Sequence, residues 1–312
     1  MTEQNPVEVE TEPTLNLGGL RQWRQQIKEG QPAEPSPPAE SKLHKLLHLE
    51  RDETLVLDKP DQRRLVPETV IVLGVSLGAS AVWSILQLID VMTKQKLSQT
   101  TIYMNSSVTP DRPWLDVTYK IATIVITLVP VALAFYLLAT VHRPANGPLR
   151  VMGLARRNIA RDVGLGVGMA AGVGIPGLAL YALARAVGIN ATIAAGNLAE
   201  HWWTVPMYIA LAAMNGILEE VVMIGYLFTR WTQRGLSPWV VIIASALVRG
   251  SYHLYQGFGG FIGNAIMGVV FGWIFMRTKR VLPLIIAHTV LDIVSFVGYS
   301  LLAAHWSWLS GT

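Results

Sequence analysis

Cysteine is absent from all 312 residues. Its absence excludes disulfides, thiolate catalysis, zinc-thiolate sites and S-palmitoylation, and leaves the redox compartment undetermined. Charge is scarce as well: 15% of residues are charged against 51% hydrophobic, and the mean hydropathy is +0.39. That balance excludes an ordinary soluble domain and fits a multi-pass membrane protein. The formal net charge of +4 is then no footprint for nucleic acid, and no nucleic-acid partner is expected. A leading apolar region is also missing, so no cleavable signal peptide is expected.

Residues 1–66 have few aromatic or β-branched side chains and cluster Pro32, Pro35, Pro37 and Pro38. Such a segment cannot bury enough apolar area to offset its ordering entropy. It is expected to be a disordered cytoplasmic tail, with docking of a protein partner as its candidate role. Leu43, Leu46 and Leu47 share a helical face, which suits either a membrane-surface helix or a transient one in solution. His44 and His48 stand one turn apart but lack a third ligand, so no metal site is expected there.

From residue 67 onward, long apolar runs alternate with short polar breaks, and each run approaches the ~20 residues that cross a bilayer. The expected fold is an all-α polytopic transmembrane bundle occupying 67–303, with a short tail at 304–312. It has about seven spans, near 68–92, 115–141, 162–187, 204–229, 238–256, 260–277 and 281–303. Basic residues test that count, because short cytoplasmic loops retain Lys and Arg. Lys59, Arg63, Arg64, Arg143, Arg150, Arg156, Arg157, Arg161, Arg230, Arg234, Arg277, Lys279 and Arg280 all fall on one side, with Lys94, Lys96 and Arg112 a mild exception on the other. The N-terminus is therefore expected inside the cell membrane and the C-terminus outside. Asn105 and Asn190 begin glycosylation sequons in outer loops.

Small residues point to helix contacts: Gly164, Gly168 and Gly172 in the third span, Gly268 and Gly272 in the sixth. Pro130, Pro176 and Pro206 are expected to kink their helices. Trp202, Trp203, Trp306 and Trp308 suit interfacial anchors.

Two adjacent carboxylates, Glu219 and Glu220, interrupt the fourth span. A charge at the bilayer centre costs roughly 2.5–3.5 kcal/mol even on insertion scales, so such a pair marks a functional site. Of the seven histidines, only His253 and His288 fall in apolar spans. Arg249 precedes His253 by one turn, Asp292 follows His288 by one, and Asn215 stands in the same relation to Glu219. Counted from the cytoplasmic basic residues at ~1.5 Å per residue, His253 lies deeper than His288, so tilt or a shifted boundary must reconcile them.

These residues leave several chemistries open. A carboxylate beside imidazole can take a proton from water, and polar donors can hold the oxyanion formed when that water attacks a peptide carbonyl. The same Glu/His/His set could hold zinc, but no His-Glu-x-x-His spacing exists and the ligands would come from three helices, which ranks metal below direct glutamate catalysis. Proton-coupled transport is a third reading, though no inverted repeat is visible. A fourth is that the polar groups only tie helices together.

The runs Glu-Glu-Val-Val-Met-Ile-Gly-Tyr-Leu at 219–227, Arg-x-x-Tyr-His-Leu-Tyr-x-Gly at 249–257 and His-Thr-Val-Leu-Asp at 288–292 resemble three ordered motifs of the CAAX protease and bacteriocin-processing (CPBP) family. These are glutamic intramembrane proteases related to type II CAAX prenyl endopeptidases, and the likeness covers about 150–303. It implies an endopeptidase that needs no cofactor and acts on a membrane-associated peptide or protein. By the same likeness Glu219 is the water-activating base, Glu220 the second acid, His253 an assistant to the base, and His288 with Asp292 the oxyanion group. Two positions depart from the pattern. Ile224 stands where the motif has arginine, for which Arg249 is the candidate substitute. Asp292 stands where asparagine is usual, and must be protonated or orient His288. An inactive CPBP-like scaffold or accessory subunit is the alternative.

Overall fold

The computed structural model describes residues 42–155, 158–194 and 201–302. Two units separate at His48, and the bundle lies in 49–312. Of the first unit only helix α1 (Lys42–Leu47) is described, with Leu43, Leu46 and Leu47 exposed. The expectations for 1–41, Trp306 and Trp308 lie outside the described residues.

Helices α2 (Lys59–Gly74) and α3 (Leu77–Lys94) form the first apolar pair, bent by 53° at a short break. Helix α4 (Pro113–Thr127) runs on into α5 (Val129–Thr140). A single turn, α6 (Pro148–Val151), precedes α7 (Ile159–Ala186). Helix α8 (Thr204–Glu219) passes into a π-helical segment, Glu220–Tyr226, and then α9 (Leu227–Gln233). Helices α10 (Pro238–Ser251), α11 (Phe258–Thr278) and α12 (Leu282–Leu302) complete the bundle.

Each predicted span thus has a helical counterpart, but they differ in reach. Four helices are long and apolar enough to cross a membrane, five if the bent α2–α3 pair is one span, while α10 and α12 yield only shorter apolar helices. The 238–256 prediction overshoots, because α10 stops at Ser251 and Gly257, at φ +112°, turns the chain into α11. The break expected at 257–259 therefore begins earlier, with the 3-10 turn Leu254–Gln256 leading into Gly257.

The bundle also begins before residue 67. Helix α2 starts at Lys59, with Pro60 in its first turn, where the missing N–H leaves no bond unmade. Ahead of it, Leu57 N–H donates to Gln233 O at 2.9 Å and the Arg51 guanidinium donates to Gly235 O. Backbone bonds of this kind are independent of the side-chain pattern, which is why the composition of 1–66 concealed them.

Glycine packing differs from the expected stripe. A Cβ added at Gly164, Gly168 or Gly172 would meet nothing within 4 Å, whereas one at Gly166 would strike Ile286 and one at Gly174 would strike Leu291. Helix α7 is glycine-rich all round, and α12 takes the face that period-four counting did not choose. Of the three prolines only Pro176 lies inside a helix; Pro130 and Pro206 occupy first turns, where no intrahelical bond is lost.

Two short strands, β1 (Thr101–Tyr103) and β2 (Thr192–Ala194), pair in parallel with Ile102 opposite Ile193. The loop before β2 clasps the α10–α11 turn: Ala191 N–H donates to Gln256 O at 2.9 Å, and Asn190 Oδ1 accepts from Gly260 N–H at 2.9 Å. Asn190 is 1% exposed, so its sequon is structural in the folded chain.

Candidate functional site

The acid pair sits where α8 becomes the π segment, with all seven residues of that segment buried. A π turn shifts its hydrogen bonds from i→i+4 to i→i+5 and is frequent at functional positions. Gly216 lets α12 approach this region: a Cβ there would lie 2.6 Å from Thr289 Oγ1 and 3.0 Å from Ile285 O. The close approach joins two pairs across the helices. Asn215 Nδ2 donates to Asp292 Oδ2 at 2.9 Å, and His288 Nδ1 meets Glu220 Oε1 at 2.7 Å.

Helix α10 supplies the counter-charge. Arg249, fully buried, donates from Nη2 to Glu220 Oε1 at 2.7 Å and lies with Nη1 3.5 Å from Glu219 Oε2. Its guanidinium also lies over the Phe271 ring at 5.8 Å. A buried carboxylate pair without a cation would be strongly disfavoured, and Ile224, at the motif's arginine position, is itself buried among apolar side chains.

His253 is placed differently from its prediction. It stands beyond the end of α10 in the turn to α11, so the face it was expected to share with Arg249 does not extend to it. This shift resolves the depth mismatch: His253 Nε2 and His288 Nε2 each lie 3.9 Å from Glu219 Oε2. Gln256 Nε2 approaches His253 Nδ1 at 3.3 Å. With the amide donating, Nδ1 is the acceptor and Nε2 carries the proton. That Nε2 is buried and has no hydrogen-bond partner.

Asp292 does not orient His288: its Oδ1 lies 3.9 Å from His288 Nε2, beyond hydrogen-bond range. Glu220 holds the imidazole through Nδ1 instead, and Asn215 binds Asp292 rather than Glu219. All seven residues singled out in the sequence are therefore gathered at one locus.

Sequence reasoning missed Tyr252, whose hydroxyl donates to Glu219 Oε2 at 2.7 Å. Its signals were adjacency to His253 and a place in the 249–257 motif. It also missed Glu68 on α2, which accepts from Arg230 Nε at 2.7 Å and Tyr226 Oη at 2.8 Å. Arg230, read as a loop residue, is fully buried and donates further to Gln233 Oε1 and Leu137 O. This network holds the end of the π segment that the acid pair does not occupy.

The set can abstract a proton at Glu219, present an N–H from His253, and keep Glu220 neutralised by Arg249. Among the described residues no group of three or more His, Asp or Glu side chains is spaced to hold a metal ion. No curated protein and no solved structure matches the chain. Residues 201–294 match the family model described as type II CAAX prenyl endopeptidase Rce1-like; that segment holds the site residues from Asn215 to Asp292, and the match supports membership of the CPBP family.

Proposed function

We propose that the chain is a glutamate-dependent intramembrane endopeptidase, set in the cell membrane with its N-terminus inside, that cleaves a membrane-associated peptide or protein. The observation that carries the reading is the convergence of two imidazole Nε2 atoms on Glu219 Oε2, each at 3.9 Å. That separation is too long for a direct hydrogen bond, yet a water lying to one side can meet Glu219 and an imidazole at hydrogen-bond distance.

In this reading Glu219 takes a proton from the water as its oxygen attacks the scissile carbonyl. His253 Nε2–H, left without an acceptor, donates to the oxyanion. His288, in its doubly protonated form, donates from Nδ1 to Glu220 and offers Nε2–H as a second donor. Glu219 then returns its proton to the leaving amine. Glu220 and Arg249 position these groups and neither touches the substrate. Burial of the site within the bundle strengthens each of these interactions by excluding bulk water.

Substrate trapping tests the reading. Membranes expressing a Glu219→Gln chain should accumulate an uncleaved membrane-associated peptide that the wild-type chain removes. An unchanged peptide profile, with a partner complex lost only when the N-terminal tail is deleted, supports a scaffold instead. Proton-linked flux abolished by Glu219→Gln supports transport.

A further inference from the structure

We propose that a cavity at the basic end of the bundle binds the phosphate headgroup of an anionic membrane lipid, with Lys279 and Arg150 as its cationic contacts. The cavity has a volume of about 640 Å³ and lies between the turn at 53–55, residues 150–155, α9 and the end of α11. Phe228, Phe275 and Met276 supply apolar lining, and Arg150, Lys279 and Arg280 supply cationic lining. That pairing of apolar and cationic lining is what an amphiphile with a negatively charged head requires.

The charges in the lining are unequally compensated. Arg280 is committed to Asp162, with Nε donating to Oδ1 at 2.6 Å and Nη2 to Oδ2. Asp52, which also lines the cavity, is held in its own turn, Oδ1 accepting from Thr54 N at 3.1 Å and Thr54 Oγ1 at 2.6 Å, and offsets part of the positive charge. Among the described residues neither Arg150 nor Lys279 has an ion-pair partner, and Lys279 Nζ finds only Met276 Sδ, a weak acceptor, at 3.5 Å. Desolvation lowers the Lys279 pKa from its ordinary value, against the opposing pull of the Asp52 carboxylate.

The wall is built rather than incidental. Val281 N–H donates to Met152 O at 2.9 Å, tying the residue after α6 to the α11–α12 turn. Gly153, at φ +64°, packs so closely that a Cβ would lie 2.6 Å from Arg280 Cα. Lys279 ends α11 in the left-handed region at φ 52°. The backbone on either side of the two free cations is thus fixed before any ligand arrives.

Location decides between phosphate sources. The cavity opens at the end where basic residues gather, the side read as cytoplasmic, and basic pockets between helices on that side meet the anionic leaflet. Free phosphate would use the cations and leave the apolar lining unused.

The test uses the purified full chain in neutral detergent, titrated with phosphatidylglycerol, phosphatidylcholine or inorganic phosphate, and followed by native mass spectrometry and thermal unfolding. Phosphatidylglycerol should bind saturably and raise Tm, and phosphatidylcholine should do neither. Lys279→Gln should weaken phosphatidylglycerol binding roughly fivefold, and Lys279→Gln with Arg150→Gln several-fold more, with Tm unchanged when no lipid is added. Arg112→Gln, at the opposite end, should leave binding unchanged. If Lys279→Gln fails to fold, Arg150→Gln alone, at an exposed position, should still show the loss. Equal binding of the two lipids, or wild-type affinity in the variants that fold, overturns the proposal. Inorganic phosphate binding as tightly as phosphatidylglycerol overturns the lipid assignment.

Discussion

Arg249 reaches Glu220 from the next helix, Nη2 to Oε1 at 2.7 Å, and so provides the cation that Ile224 cannot. One guanidinium spans both acids, which makes α10 an obligatory wall of the site. Arg249→Ala should destabilise the chain by about 3–5 kcal/mol, the usual consequence of stranding a buried charge. Thermal unfolding should show it. Glu220→Gln combined with Arg249→Met should be far less damaging than the two single losses added together; strict additivity would remove Arg249 as the partner of Glu220.

Tyr252 donates to the same oxygen of Glu219 that faces both imidazoles. Tyr252→Phe removes one hydrogen bond and little volume, so unfolding should shift by roughly 0.5–1.5 kcal/mol. In the proposed protease, kcat should fall with KM nearly constant, because the hydroxyl aims the base and does not hold substrate. An equal rise in KM would place Tyr252 in substrate binding.

Gly216 sets the distance between α8 and α12. Gly216→Val should cost about 1–3 kcal/mol through overpacking against Thr289 and Ile285. The Asn215–Asp292 and Glu220–His288 bonds should lengthen together, so activity should fall more than stability. Gly164→Val, on a face that meets nothing within 4 Å, is the matched control and should retain both.

Glu68→Ala strands Arg230, which is wholly buried. A loss of about 3–5 kcal/mol is expected, and Glu68→Gln should recover part of it by keeping an acceptor for Arg230 and Tyr226. Unfolding midpoints of the two variants make the comparison. Equal midpoints would show that the acceptor contributes nothing.

Much of the site was legible because charge inside an apolar run is conspicuous. Glu219, Glu220 and His288 each stand out against their neighbours, and Arg249 followed from the missing motif arginine together with its place one turn before His253. Tyr252 was not legible, since an aromatic beside a membrane turn has many roles and only the fold aims its hydroxyl. Glu68 sits among the polar residues that open α2, where a carboxylate draws no notice. The glycine stripe misled because α7 carries glycine on more than one face, and periodicity alone cannot say which face meets a neighbour. The placement of His253 was misjudged because the apolar and aromatic residues 252–255 read as more helix, whereas the helix stops at Ser251 and they form the turn that leads into Gly257.

The π segment separates two clusters of buried charge on a single stretch of chain. Glu219 and Glu220 mark its start, and Arg230 follows its end by four residues. In a regular α-helix each residue advances the azimuth by ~100°, so the two clusters would have a fixed angular offset. The wider turn alters that offset. It lets one helix show its acids to α12 and α10 while showing its arginine to α2. Glu220–Tyr226 is in that sense an angular adaptor, and removing one residue from it would rotate Arg230 off Glu68 while leaving Glu219 where it stands.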